Sequence, residues 1–415
     1  MLSAGPLGER NFRRYFVGQT TSYLGDGLLP VAVSFAVLDL TGSASDLGLV
    51  LAARMVPVVL FLLVGGVWAD RLPRHLVMLA SDIVRGAVQA VLAVLLLTGT
   101  AELWHLLVLQ ALYGVGEAFM RPAATGLLPS LVAGERLQQA NALLSASVNS
   151  AYIVGPALAG VLVATAGAGT AIAVDAGTFA VSTASLALLR VPAAAEHAER
   201  LPFLEDLRAG WREFASRTWL WATVVVASLF LLAVVAPLMV LGPVVADREL
   251  GGARDWGAIA AAIGIGTLVG SVCAARVRPV RPILAVAVLL GGPALTAAAL
   301  ALTLPVPVIG VLGFVAGATE GFIEVVWITS LQEGIPPAAL SRVSAYDTLG
   351  SFVFMPIGFA VAGPVADAAG LEPTLLGIAA IALVLPLTLA AIPSVRAVTR
   401  VSCSARGKRI RIPCT

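Results

Sequence analysis

Long apolar runs follow one another along almost the whole chain, separated by short segments with glycine, proline or clustered charges. A helix that crosses a bilayer needs about 20 mostly apolar residues. Runs of that length predict twelve membrane-spanning helices, with approximate bounds 16–38, 46–68, 76–98, 105–129, 143–166, 169–190, 219–245, 256–276, 282–303, 306–330, 343–365 and 374–393. The pattern predicts an all-α membrane protein.

A polar stretch over residues 191–218 divides the runs into two sets of six. Apolar residues recur there at helical spacing, opposite charged ones such as Arg208 and Glu213; the apolar set is Phe203, Leu204, Leu207, Trp211 and Phe214. This predicts an amphipathic helix on the inner membrane surface, with a solvated linker as the alternative. The predicted domains are a six-helix half over 1–190, the linker over 191–218, a second six-helix half over 219–395 and a basic cytoplasmic tail over 396–415.

Composition supports the membrane assignment. Of the 415 residues, 59% are hydrophobic and 12% are charged, whereas an ordinary soluble domain has about 25% charged residues. So few charges cannot coat a soluble globule of this size, so the lipid bilayer is the expected surrounding. The net charge of +2, with no basic block inside the apolar body, argues against nucleic acid as a partner.

The usual motifs of catalysis and nucleotide binding are missing from the sequence. The one lysine, Lys408, is followed by Arg409, so no Gly-Lys-Ser/Thr phosphate loop exists. His75, His105 and His197 are too far apart for H-E-x-x-H, and the cysteines form no C-x-x-C. We therefore expect no enzyme activity, no nucleotide, no metal and no cofactor.

Basic residues are distributed unevenly over the predicted loops. With the N-terminus inside the cell, the outer loops contain only Arg248 and Arg254, and the cytoplasmic segments contain many more arginines. Loops rich in arginine face the cytoplasm, which predicts that both termini are cytoplasmic. Arginine supplies all basic residues but one, and alanine and glycine abound, which indicates a GC-rich bacterium and hence its inner (cytoplasmic) membrane.

The two halves are related at an offset of 203 residues. Gly116-Glu117-Ala118-Phe119 aligns with Thr319-Glu320-Gly321-Phe322, and further along Gly155 aligns with Gly358. Two six-helix repeats related by an axis along the membrane normal are the architecture of major facilitator transporters, which bind substrate between the halves.

Two motifs now carry a family resemblance. Gly66-Val-Trp-Ala-Asp70-Arg71-Leu-Pro73-Arg74-His75 closely resembles the major facilitator signature G-x-x-x-D-R-x-G-R-R/K, with departures at the proline and the histidine. Ala151-x-x-x-Gly155-Pro156-x-x-Ala159-Gly160 resembles the antiporter motif G-x-x-x-G-P-x-x-G-G, typical of exporters. The resemblance covers residues 10–395 and is closest to the 12-span bacterial multidrug, macrolide and siderophore exporters, a drug:proton antiporter branch.

This resemblance implies a secondary active transporter that exports amphiphilic small molecules by alternating access, works as a monomer and uses the proton gradient instead of a cofactor. It implies a gating role for Gly66, Asp70, Arg71 and Arg74, in which Asp70 caps a helix end of the opposite half and the arginines pair with nearby acids. It also implies a pivot at Gly155, Pro156 and Gly160, with simple helix packing as the alternative. Open alternatives are an importer of a small metabolite, a lipid flippase and a non-transporting sensor.

One departure concerns the fourth span. The family's motif L-x-x-x-R-x-x-x-G-x-G falls on Leu106, Gln110, Gly114 and Gly116, so Gln110 stands where an arginine linked to proton transfer usually sits. This puts the transfer of that arginine's role to this chain in doubt.

Ionisable residues at membrane depth are the candidate sites for protons or substrate, because a charge in the bilayer is costly and usually faces the bundle interior. Asp26 and Arg54 are such candidates, and Asp26 has a structural partner role as its alternative. Glu117 and Arg121 are one turn apart, so an internal ion pair is their alternative. Asp175 lies in the outer part of the sixth span, whereas Asp82, Arg85 and Asp347 are expected near inner helix ends, in interfacial or gating roles.

Glu320 and Glu324 lie one turn apart and have no basic residue within a turn of them. Two carboxylates on one face repel each other, so one is expected to hold a proton near neutral pH. This predicts a proton carrier or a site for a cationic substrate, with pairing to a basic residue on another helix as the alternative. Trp327 is a candidate for stacking an aromatic substrate, with packing as its alternative.

Overall fold

The computed structural model describes residues 5–189, 203–401 and 409–411, without the side chains of 62–71, 121, 203–207, 209, 337–338, 341, 400–401 and 409–411. Within these ranges the chain is almost entirely helical. Twelve helical segments are long and apolar enough to cross a membrane, which confirms the number predicted from the apolar runs.

The helices, in chain order, are α1 (Arg10–Thr41), α2 (Ala44–Arg71), α3 (Arg74–Leu97), α4 (Leu103–Leu127), α5 (Leu137–Ala166), α6 (Ala168–Ala187), α7 (Phe203–Ala215), α8 (Thr218–Phe230), α9 (Ala236–Glu249), α10 (Ala253–Arg276), α11 (Pro282–Leu289), α12 (Pro293–Ala301), α13 (Val306–Gly334), α14 (Pro337–Phe352), α15 (Met355–Ala369), α16 (Leu371–Ala391) and α17 (Pro393–Ala397). Two short strands, β1 (Thr399–Val401) and β2 (Arg409–Arg411), pair antiparallel in the tail.

Three of the twelve spans are interrupted. A π-helical segment, Leu231–Val235, joins α8 to α9 without a break in the chain's course. The ninth span is broken into α11 and α12 around Gly291 and Gly292, ahead of a proline that starts α12. The eleventh is broken between α14 and α15, just before Pro356. The breaks in the ninth and eleventh spans follow from glycine and from proline, which lacks a backbone donor.

The chain folds into two compact units. The first unit contains α1–α6 together with residues 242–261. The second contains α7, α8 and the following residues up to 241, and then the chain from residue 262 onward. In the first unit, α6 packs against α1 and α3, α4 packs against α2 and α3, and α5 packs against α1. Residues 242–261, which the sequence analysis places in the second six-helix half, therefore pack with the first unit.

Helix α7 is the amphipathic helix predicted in the 191–218 stretch. Its Phe214 is buried, and its Trp211 ring lies with its centroid 5.6 Å from that of Tyr346 in α14. Gly210 allows this approach, because a Cβ there would meet Arg342 and Tyr346 at 3.0 and 3.1 Å. Trp211 and Phe214 of α7 thus contact the rest of the second unit, while the location of α7 on the membrane surface stays a prediction.

Candidate functional site

Polar and charged side chains meet in the interior of the first unit. We call this group the buried polar cluster; its members are Asp26, Arg54, Asp82, Arg85, Gln89, Tyr113, Glu117, Asp175 and Ser182. They come from α1, α2, α3, α4 and α6, which pack against one another. The apolar remainder of these helices faces outward or packs between them, so the cluster lies at membrane depth.

Helix α3 supplies the centre of the cluster. Asp82, Arg85 and Gln89 follow at i, i+3 and i+7, so they share one face, and all three are buried. Arg85 Nη2 donates to Asp82 Oδ1 at 2.5 Å, and Ser182 Oγ donates to Asp82 Oδ2 at 2.6 Å. A carboxylate that accepts a charge-assisted bond on one oxygen and a hydroxyl on the other is matched to its ionised form.

This placement corrects the expectation that Asp82 and Arg85 lie near an inner helix end. They lie two and three turns into α3 and are almost fully buried. The physical reason is the close packing of α4, where a Cβ on Gly116 would lie 2.9 Å from Arg85 Cγ. The sequence signal that could have predicted their burial is the row of polar residues Asp82, Arg85 and Gln89 on one face of an otherwise apolar helix.

Asp26 of α1 lies beside Arg85. Its Oδ1 accepts a hydrogen bond from Tyr113 Oη at 2.6 Å and lies 3.5 Å from Arg85 Nη1. Its side chain is 28% exposed, in contrast to Arg85 at 2%. Asp26 is therefore a partly exposed carboxylate of the cluster that contacts the central arginine.

Arg54 of α2 is the partner of Glu117 of α4. Arg54 Nε donates to Glu117 Oε2 at 2.9 Å, and the guanidinium lies 4.8 Å from the centre of the Tyr113 ring. Gly114 makes this contact possible, since any Cβ there would overlap the Arg54 backbone carbonyl. The sequence predicted pairing of Glu117 with Arg121 as an alternative; the side chain of Arg121 lies outside the described residues, and Arg54 is the partner that sequence spacing could not reveal.

Asp175 of α6 has neutral partners. Gln89 Nε2 donates to its Oδ2 at 2.6 Å, and Thr178 Oγ1 lies 3.4 Å from its Oδ1. Gln110 is also buried, and neither its amide oxygen nor its amide nitrogen has a hydrogen bond within the part of the chain that the structure describes. Asp175 and Gln110 are thus buried polar side chains that take part in none of the ion pairs found among the described residues.

In the second unit, Glu320 and Glu324 of α13 form what we call the carboxylate pair. Both side chains are exposed, on a face that continues with Ile328 one turn further. Among the described residues, neither carboxylate has a hydrogen bond or an ion pair. Trp327 contacts other residues of the unit: its Nε1 donates to Asp347 Oδ2 at 3.1 Å, and its ring packs edge-on to that of Trp219.

The predicted gating residues lie at the junction of α2 and α3. Gly66, Asp70 and Arg71 fall in α2, but the side chains of Asp70 and Arg71 lie outside the described residues. Arg74, the first residue of α3, donates from Nη1 to the carbonyl of Gly126 at 2.5 Å. Because Gly126 is in the last turn of α4, this cation lies at the negative end of that helix.

The antiporter motif forms close helix contacts in the first unit. A Cβ on Gly155 would lie 2.6 Å from the Cα of Gly27 in α1, and one on Gly160 would lie 3.1 Å from the Cα of Gly257 in α10. Pro156 is buried between them in an unbroken α5. The glycines therefore join α5 to a helix on each side, which accords with packing and leaves the pivot a prediction.

Comparison with known proteins gives concordant results. The family described as transmembrane secretion effectors matches residues 2–408. The multidrug efflux pump Tap of Mycolicibacterium fortuitum is 31% identical over 91% of this chain and 94% of its own length. The Tap pump of Mycobacterium tuberculosis (strain ATCC 25618 / H37Rv) is 32% identical over 86% and 87%. Macrolide efflux protein A of Streptococcus pyogenes is 25% identical over 56% and 58%.

Solved structures share the fold. A mutant of the nucleoside transporter NupG superposes with a TM-score of 0.75 at 12% identity, over 92% of this chain and 99% of its own. A bacterial homologue of the iron transporter ferroportin, in an inward-facing state, superposes with a TM-score of 0.71 at 17% identity, over 92% and 99%. At such low identity these likenesses concern the fold alone.

Proposed function

The chain belongs to the transmembrane secretion effector family of major facilitator transporters, and on that premise we propose that it exports amphiphilic small molecules by alternating access. The observation that carries the proposal is the similarity to the Tap multidrug efflux pumps along nearly the full length of both proteins. Similarity to a macrolide efflux protein points in the same direction. The apolar composition favours drug-like or natural-product cargo over sugars.

We further propose that the proton gradient drives this export and that the carboxylate pair couples the two. Glu320 and Glu324 are exposed side chains one turn apart, with no cation partner in the described part of the second unit. Two carboxylates that close together cannot both ionise without mutual repulsion, which favours binding of a proton or of a cationic cargo. When binding of the proton releases the cargo, and binding of the cargo releases the proton, the pair performs the exchange that an antiporter needs.

The setting of this activity belongs to the same proposal. The bacterial relatives and the arginine distribution support a location in the inner membrane, with both termini in the cytoplasm. We propose that one chain is the working unit, without a cofactor, and that residues 66–74 gate it. The contact from Arg74 to the end of α4 supports this role, because a charge at a helix end is worth about 0.3–2 kcal/mol and can be released.

The test uses the full chain in vesicles, with ethidium as a lipophilic cationic probe and chloramphenicol as a neutral one. In inside-out vesicles with an acidic lumen, wild-type protein should accumulate ethidium, and collapse of the proton gradient should abolish the accumulation. The double variant Glu320→Gln with Glu324→Gln should lose gradient-driven ethidium uptake. Glu333→Gln makes the same chemical change near the end of α13 and serves as the matched control.

The outcomes separate the alternatives. If the double variant loses ethidium transport but retains that of chloramphenicol, the pair binds cationic cargo instead of the proton. Gradient-driven movement in the opposite direction would indicate an importer, and movement of labelled lipid in place of either probe would indicate a flippase. Binding of the probes without any movement would indicate a sensor, and each of these last three results would overturn export.

A further inference from the structure

Two carboxylates buried in the first unit have opposite surroundings. Asp82 of α3 and Asp175 of α6 lie on helices packed against each other, and both are 0% exposed. Asp82 contacts a guanidinium and a hydroxyl donor, as its ionised form requires. Asp175 receives one amide donor, from Gln89, and no cation lies within ion-pair distance of it in the described part of the unit.

The hydrogen-bond inventory around Asp175 fits a carboxylic acid. Thr178 Oγ1 donates its single hydrogen to the Asp175 backbone carbonyl at 2.7 Å. A hydroxyl has a single hydrogen, so the shorter bond to the backbone carbonyl leaves only a weak donor contact, at 3.4 Å, from Thr178 Oγ1 to Asp175 Oδ1. An ionised Oδ1 therefore lacks a strong donor, whereas a protonated Oδ1 can itself donate to the hydroxyl lone pairs. An unpaired ionised carboxylate in a buried site is strongly unfavourable.

The charged groups of the neighbouring helices do not compensate Asp175. Helix α1 contributes Asp26; α3 contributes Asp82 and Arg85; α4 contributes Tyr113 and Glu117; α2 contributes Arg54; and α5 contains no Asp, Glu, His, Lys or Arg. The two described guanidinium groups contact the other three carboxylates. The Arg85 guanidinium lies 4.6 Å from the ring centre of Phe179, which is one turn along α6 from Asp175.

We propose that Asp175 is a proton-binding residue of the first unit, held as a neutral acid in the conformation described here. On release, the Oδ1–H bond breaks, its electron pair stays on Oδ1, and the proton passes to water that reaches the neighbouring Asp26. The Asp175 anion is then stabilised by Arg85 of α3, whose guanidinium lies against Phe179, one turn along α6 from Asp175. Gly25 supports the route, because it packs directly against the Asp175 carboxylate and precedes Asp26 in the chain.

This proposal rests on proton-coupled transport and adds a second proton site to it. On this proposal, loss of the proton from Asp175 makes it compete with Asp82 and Asp26 for the Arg85 guanidinium. The first unit responds to protonation through this competition. The carboxylate pair of the second unit then need not be the sole point of coupling.

The first test is infrared spectroscopy of the purified full chain, which detects the carbonyl stretch of a protonated carboxyl group. Because the carboxylate pair can also hold a proton, the measurement is made in the double variant Glu320→Gln with Glu324→Gln. This variant at neutral pH should show the band from a buried acid; adding Asp175→Asn should remove it, and adding Asp82→Asn should leave it. A band that survives Asp175→Asn in this background, or no band before that change, would overturn the proposal. None of these measurements requires transport, so their result does not depend on whether the protein exports its cargo.

The second test compares two isosteric variants by their melting temperatures. Asp175→Asn replaces a neutral acid by a neutral amide and should melt at the wild-type temperature. Asp82→Asn leaves Arg85 with one carboxylate fewer and should melt at a clearly lower temperature. The reverse order, or failure of Asp175→Asn to fold while Asp82→Asn folds, would show that Asp175 is ionised and would overturn the proposal.

The third test measures protons released to a pH indicator when ethidium binds to the protein in detergent. Asp175→Asn should release fewer protons per ethidium bound than wild-type protein, with ethidium affinity changed less than twofold. An unchanged proton count would overturn a role in coupling. Absence of ethidium binding to wild-type protein would instead count against the proposed cargo, and the infrared result would then decide the proton site alone.

Discussion

Helices α4 and α13 occupy corresponding places in the two repeats but use the same acidic position in different ways. Glu117 and Glu320 correspond at the offset of 203 residues, as do Arg121 and Glu324. Glu117 binds Arg54 at 2.9 Å, whereas Glu320 is exposed and has no ion-pair partner among the described residues. The repeat has kept an acid at membrane depth and changed what surrounds it.

The crossing of the neighbouring helix explains the difference. A Cβ on Gly114 would overlap the backbone carbonyl of Arg54, and a Cβ on Gly317, its counterpart in the repeat, would overlap the backbone carbonyl of Ile263. The two glycines therefore mark the same helix crossing in each unit. An arginine stands at this crossing in the first unit and an isoleucine in the second, so among the described residues the first carboxylate has a cation partner and the second has none.

The consequence is a division of labour between the units. Paired charges in a low-dielectric interior hold helices in one arrangement, and removal of one partner is costly. Unpaired carboxylates contribute little to stability but remain available to bind a proton or a cationic molecule. We therefore expect substitutions at the ion pairs of the first unit to act mainly on stability and those at the carboxylate pair of the second mainly on transport.

The largest loss of stability is expected for Arg85→Leu. This change leaves Asp82 fully buried and Asp26 partly buried without their cation, at a cost of about 3–5 kcal/mol in the free energy of unfolding. Denaturant unfolding of the purified protein, followed by tryptophan fluorescence, measures it. Arg276→Leu, at an exposed arginine, is the control and should change little. Equal stability of the two variants would contradict the structural role of the cluster.

A smaller loss is expected for Arg54→Leu, about 1–3 kcal/mol, because both partners of this pair are about a quarter exposed and water screens the charge that remains. Adding Glu117→Leu should recover part of the loss, since the double variant removes both charges of this pair. The same unfolding measurement applied to the wild type, both single variants and the double variant gives the interaction energy. Strict additivity would show that the pair does not act as a unit.

The smallest change in stability, about 0.5 kcal/mol or less in the free energy of unfolding, is expected for Glu320→Gln, because this substitution leaves no described ion-pair partner behind. The same denaturant unfolding measures it.

Ile263→Arg tests the comparison directly, since it places an arginine where the first unit has Arg54. The introduced arginine should pair with Glu320 and abolish gradient-driven ethidium transport while the protein stays folded. Ile263→Arg combined with Glu320→Gln should be less stable than Ile263→Arg alone, and equal stability would refute the correspondence of the two crossings.

Several features of this protein could be predicted from residue order alone, because they depend on local composition. The twelve spans follow from the length of the apolar runs, and the structure confirms their number. The helix at α7 follows from apolar residues at helical spacing, whereas the relation of the two halves stays a prediction from aligned motifs. Asp26, Arg54 and Glu117 stood out as costly charges within apolar runs.

Other features needed the tertiary structure, because an ion pair depends on which helices are neighbours and at what depth they cross. Glu117 has Arg121 one turn away in sequence, yet Arg54 reaches it from another helix. Asp82 and Arg85 were assigned to a helix end, whereas the packing of α4 and α6 encloses them. The neutral partners of Asp175 likewise come from a helix 86 residues away in the chain and from its own next turn. The sequence alone thus determined where the chain crosses the membrane and which charges enter it, and helix packing decided which of those charges are paired.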